Sequence, residues 1–168
     1  MTEKLHLKPA IWAGIIAGIV FVMMEMALIA AIGNGMVWGP PRMMAAIVMG
    51  KGVLPPPATF DFAIVMVGMM VHFVLSVILG IVLGWIIAKW RLGMAMAIIV
   101  GLVFGLLVYL VNFYVLTGVF PWFANARNMI TLVSHLVFGG VLGAVYRAMA
   151  PSHAVAERTG DGAARGPL

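Results

Sequence analysis

Long apolar runs alternate with short polar, glycine-rich or proline-rich breaks along this chain. Four runs, at 10–32, 62–89, 94–116 and 126–150, are each long enough to cross a bilayer, since about 20 apolar residues at ~1.5 Å per residue span its hydrocarbon core. They predict four transmembrane helices. Residues 1–9 read as a short polar tail ending at Pro9, and Gly33-Asn34-Gly35 stops the first helix. The long connection 33–61 holds Trp38-Gly-Pro-Pro-Arg42, a short apolar piece over 43–49, Lys51-Gly52 and the run Pro55-Pro56-Pro57. The apolar piece is too short to span, so an interfacial or re-entrant helix is expected there, and the prolines predict a stiff extended return to the membrane. A tight loop over 90–93 joins the second and third helices. Phe120-Pro121-Trp122-Phe123 predicts an aromatic belt at the membrane surface. Pro151 ends the last helix, and the glycine-, alanine- and arginine-containing tail 151–168 is expected to be disordered.

The pattern therefore predicts an all-α, polytopic membrane protein with one transmembrane domain over 10–150, its helices in an up-down bundle. Composition agrees: 64% of the 168 residues are hydrophobic and 9% are charged, where a soluble domain carries about a quarter charged residues. The net charge of +5 lies in loops and tails, so it signals topology and not a nucleic-acid surface. With both termini on one side, that side holds Lys4, Lys8, Lys89, Arg91, Arg147, Arg158 and Arg165, against Arg42, Lys51 and Arg127 on the other. The imbalance predicts cytoplasmic termini and an external loop 33–61. Lys4 and Lys8 before an apolar run resemble a signal peptide, but the run is too long for one, and a retained first helix is expected. With no cysteine, disulfides, thiolate metal sites and cysteine nucleophiles are excluded.

An internal repeat is visible. His72-Phe-Val-Leu-Ser-Val-Ile-Leu-Gly-Ile-Val reappears as His135-Leu-Val-Phe-Gly-Gly-Val-Leu-Gly-Ala-Val, and Gly18-Ile-Val-Phe21 matches Gly101-Leu-Val-Phe104. The reading is two repeated helical hairpins. Each helix also carries Gly-x-x-x-Gly, at Gly14/Gly18, Gly80/Gly84, Gly101/Gly105 and Gly139/Gly143, a spacing that lets another backbone approach closely.

Few polar side chains lie deep in these helices: Glu25, His72, Asn112 and His135, with Ser76 and Ser134 nearby. An ionisable group in hydrocarbon costs about 2.5–3.5 kcal/mol on insertion scales, so it usually faces the bundle or a wet cavity. Counted from the helix ends at ~1.5 Å per residue, Glu25, His72 and His135 lie within about one turn of a common level in the external half. Two imidazoles on diagonal helices can hold a haem iron, as in membrane cytochromes b, so His72 and His135 are candidate haem b ligands. With Glu25 they make three nitrogen or oxygen ligands, a set suited to zinc or non-haem iron. Glu25 and Asn112 are otherwise expected to support the histidines from the next layer. Passage of protons or cations is a further option. No phosphate loop, Ser–His–Asp set or HExxH motif is present, so no enzyme is predicted. Asp61, Arg42 and Arg127 are expected in head groups or beside an entrance.

The segments WGPPRMMAAIVMGKGVLPPPATFD (38–61) and LVNFYVLTGVFPWFANARNMI (110–130) resemble a group of small four-helix bacterial membrane proteins of unknown function. Some of these are labelled sodium:proline symporters, although four spans are too few for the broken-helix transporter fold. The resemblance covers about 9–150 and implies a bacterial inner membrane. The resulting expectation is a small non-catalytic protein with a buried polar site. The alternatives are a structural or assembly subunit of a larger membrane complex, with glycine faces docking partner helices, or a homo-oligomeric transporter.

Overall fold

The computed structural model describes residues 4–33, 35–56 and 58–150; the expected C-terminal tail 151–168 lies outside them. Five α-helices form: α1 (Leu7–Ile32), α2 (Gly39–Met49), α3 (Phe62–Lys89), α4 (Met94–Leu110) and α5 (Met129–Met149). No strand occurs among the described residues. Four helical stretches are long and apolar enough to cross a membrane: α1, α3, Met94–Gly118 and α5. The protein is an all-α, four-span membrane protein.

The helix ends follow local chemistry. α1 begins at Leu7, earlier than the sequence suggests, because Pro9 sits in the first turn, where no intrahelical N–H is needed. Gly50 ends α2 in the left-handed region at φ 81°, a conformation that favours glycine. Asp61 caps α3 by accepting from Ile64 N at 3.0 Å. The third span is not α-helical to residue 116: after Leu110 it loosens into a π turn, Val111–Val115, then a 3₁₀ turn, Leu116–Gly118. The last helix starts at Met129, not at 126, because Asn128 is the cap and accepts from Thr131 N at 3.0 Å. Residues Pro121–Ala126 before it form a 3₁₀ turn.

The two arginines differ: Arg42 of α2 is buried, whereas Arg127 is exposed. Arg42 donates to Thr59 O and Val53 O, both at 2.9 Å, which pins the return loop onto α2. Arg127 donates to Phe113 O at 2.6 Å and to Thr117 Oγ1 at 3.2 Å, with its guanidinium 4.6 Å from the Tyr114 ring centre. It thereby occupies a carbonyl in the π turn, where the α-helical pattern is broken.

Packing runs in the spatial order α3–α1–α5–α4. α5 is the hub, packing against both α4 and α1 and more deeply buried than any other span. Both hairpins are zipped by glycine. A Cβ on Gly14 would lie 2.6 Å from Ser76 O, and one on Gly80 would lie 2.6 Å from Ala10 O. Across α4 and α5, Gly101 faces Gly139, Gly105 faces His135 O, and Gly143 faces Ala97 O just as closely. Ala10, Ala13 and Ala17 then join α3 and α5 through Leu83, Ile87, Phe138, Leu142 and Tyr146. A second cluster, Tyr109, Phe113 and Phe123, packs with Met43 and Ile47 of α2. Trp122 Nε1 donates to Met43 O at 3.2 Å, so α2 roofs one end of the bundle.

The ring is not closed. Beyond the turn at 90–93, α3 and α4 barely touch. Their facing surfaces, including Leu75, Ile78 and Val82 on α3 and Leu107 and Val111 beyond it, stay exposed.

Candidate functional site

Below the α2 roof, the gap between α3 and α4 widens into a cavity of about 1280 Å³. Its mouth is apolar: Leu75, Ile78, Val82, Leu107 and Val111 line it and remain exposed. Its inner wall is where the polar residues gather. Glu25, His72, Ser76, Asn112, Thr131 and His135 all line the same cavity. The four residues singled out from the sequence thus share one wall, drawn from α1, α3, the π turn and α5. Asn112 is half-buried, whereas Glu25, His72 and His135 are buried.

The two histidines have different surroundings. His72 Nε2–H donates to Gly18 O at 3.1 Å, with Ser76 Oγ 3.4 Å away. This bond ties α3 to α1, and it forms because Gly18 lets the two backbones approach: Ser76 Oγ would lie 2.9 Å from a Cβ there. His135 Nδ1–H instead donates within its own helix, to Thr131 O at 2.8 Å. In the neutral ring, Nε2 is then an acceptor, and it has no hydrogen-bond partner among the described residues. The Thr131 side chain lies close to the Glu25 carboxyl, so one residue adjoins both Glu25 and His135.

Aromatic rings enclose the imidazoles. Phe21 is stacked on His72 with centroids 5.4 Å apart and stands edge-on to His135 at 4.9 Å. Phe113 and Tyr109 approach His135 at 5.4 and 5.8 Å. Thr131 and Phe21 are the residues lining this cavity beside the histidines that the sequence pattern did not pick out. Thr131 had a signal, since it lies one helical turn before His135. Phe21 had none beyond its place in the repeat. Ser134, by contrast, is fully buried with no partner for its hydroxyl and does not line the cavity.

A haem held by His72 and His135 needs one ring nitrogen of each aimed at a single iron. Here His72 Nε2 is committed to Gly18 O, and the Phe21 ring packs against both imidazoles. The residues as arranged do not fit an axial pair. Among the described residues, no three His, Cys, Asp or Glu side chains lie close enough together to hold a metal ion. Glu25, His72 and His135 therefore do not make the three-ligand set that their shared depth suggested. What the arrangement offers is a large apolar chamber with hydrogen-bonding groups at its inner end.

No family model, curated protein or solved structure matches the chain.

Proposed function

We propose that this is a non-catalytic integral membrane protein that holds a lipophilic small molecule in the cleft between α3 and α4. The carrying observation is the graded cleft: an apolar mouth facing the bilayer, and Glu25, Asn112, Thr131 and His135 at its inner wall. Ligand pockets are commonly apolar with a few placed polar groups, and polar residues at this depth face such a space or one another. The roof formed by α2 separates the chamber from the aqueous side, so the ligand enters sideways from the lipid. On the charge imbalance of the loops, that roof lies on the external face of a bacterial inner membrane, with both termini cytoplasmic.

Duplication of the hairpin accounts for the unequal histidines. Gly18 and Ser76 in the first hairpin correspond to Gly101 and Gly139 in the second, and each pair sits at its helix crossing. The serine beside His72 has become glycine beside His135, and His135 bonds its own helix. One imidazole is left as a brace and the other as a cavity group.

The reading as a subunit whose glycine faces dock partner helices is the weaker one, because all four glycine motifs are used inside the bundle, Gly84 against Tyr146 of α5 and the rest within the hairpins. Native mass spectrometry of protein released in mild detergent tests the proposal. The wild type is expected to carry a bound lipophilic species, and Leu107→Trp, which fills the mouth, is expected to lose most of it. A bare wild-type mass would overturn the proposal. So would a Soret band or stoichiometric metal lost in His135→Ala, which would restore the haem or metal reading.

A further inference from the structure

We infer that the cleft selects a lipid-soluble hydroquinone: a flat ring with a phenolic hydroxyl leading inward and an apolar tail left in the bilayer. This rests on the cleft being a ligand site and names the ligand's polar end.

The argument starts from His135. Its Nδ1–H is fixed on Thr131 O at 2.8 Å, so the neutral ring turns a lone pair on Nε2 toward the chamber that it lines. The Glu25 carboxyl lines the same chamber. The group on this wall without a partner among the described residues is the Nε2 lone pair, and a head group that meets it must donate. A quinone has only carbonyl acceptors, whereas its hydroquinone carries O–H donors. An ammonium head group would bring a full charge into hydrocarbon, where a pair must be very well built to repay desolvation. A hydroxyl avoids that cost.

The ring is inferred from the walls. Phe21 and Phe113 stand edge-on to His135 at 4.9 and 5.4 Å, and Phe104 and Phe138 line the same inner region. Flat faces and edges at this spacing accept another aromatic ring in offset or edge-to-face packing. An aliphatic alcohol would satisfy Nε2 but would leave these faces poorly filled. The tail's path is the exposed apolar gap between α3 and α4.

The experiment measures binding of three probes to full-length protein in mild detergent: decyl hydroquinone under anaerobic reducing conditions, the matching decyl quinone, and n-undecanol. A hydrogen bond within hydrocarbon is worth a few-fold in affinity, so the hydroquinone is expected to bind at least about fivefold more tightly than the quinone. That preference is expected to fall below about twofold in His135→Phe, which keeps an apolar ring, and to be partly kept in His135→Gln, which retains an acceptor. Thermal stability of each variant identifies any that fails to fold. Equal binding of hydroquinone and quinone by the wild type, or an unchanged preference in folded His135→Phe, would overturn the inference and leave the cleft as a lipid site. Undecanol binding as tightly as the hydroquinone would overturn the ring. Binding of no probe, together with a bare native mass, would overturn the cleft reading as well.

Discussion

At the scale of single residues, the same side chain on two helices meets two different surroundings. His72 is a brace between α3 and α1, and His135 is a wall of the cleft. His72→Ala is expected to destabilise the fold by about 1–2 kcal/mol, since interhelical hydrogen bonds in membranes average near 0.6 and reach about 1.7 kcal/mol, and a small void is added. Reversible unfolding in mixed detergent measures this; a variant as stable as wild type would show that the bond to Gly18 O carries no net weight. Glu25, His72 and His135 were legible in the sequence because ionisable side chains are rare and costly in hydrocarbon. The packing of Phe21 against both imidazoles was not, because a phenylalanine in an apolar run gives no sign of what it packs against. The burial of Arg42 also escaped a reading from charge alone, whereas Arg127 is exposed as a loop charge is expected to be. Backbone carbonyls in the loop and the π turn hold them, and carbonyls leave no trace in a pattern of side chains.

At the scale of elements, the hairpins depend on positions where even a methyl group does not fit. An alanine Cβ at Gly139 would run into Gly101 O and lie 2.8 Å from Gly105 N, both rigid backbone. At Gly140 the nearest atom is Leu102 Cδ2 at 3.2 Å, the end of a flexible side chain. Gly139→Ala is expected to cost about 1–3 kcal/mol, as overpacking of a tight core does, and Gly140→Ala little. Thermal unfolding of the two variants side by side checks the contrast, and equal losses would contradict the glycine-zipper account. Spans and their order were legible because length and hydropathy alone decide them. The bounds of α3 are those expected, since Asp61 and the turn at 90–93 stop it on both sides. The π turn was hidden, because Val111–Val115 continues the run of the helix before it without a glycine or proline to mark a break. So was the start of α5, where two asparagines, Asn125 and Asn128, compete as caps and only backbone geometry chooses.

At the scale of the whole molecule, the missing α3–α4 contact matters most. An up-down bundle drawn from hydropathy closes its ring by default, and nothing in a run of leucines says which neighbours fail to meet. The open side turns a bundle core into a chamber, and the alanine face of α1, closed by Leu142 and Tyr146 of α5, joins the hairpins. If each hairpin is a unit, two separately expressed halves, residues 1–91 and 92–168, are expected to assemble in the membrane and co-purify. Ala13→Leu, which crowds the seam, is expected to prevent it. Halves that never associate would mean that the covalent turn at 90–93 is needed to bring them together. That seam also carries a consequence for biosynthesis. α1 and α3 emerge from the ribosome well before α5, and at roughly 5–20 residues per second the seam stays unmade for seconds. Through that interval the small-residue face of α1 is open to any passing helix of another protein, and the cell must keep it vacant until its own partner arrives.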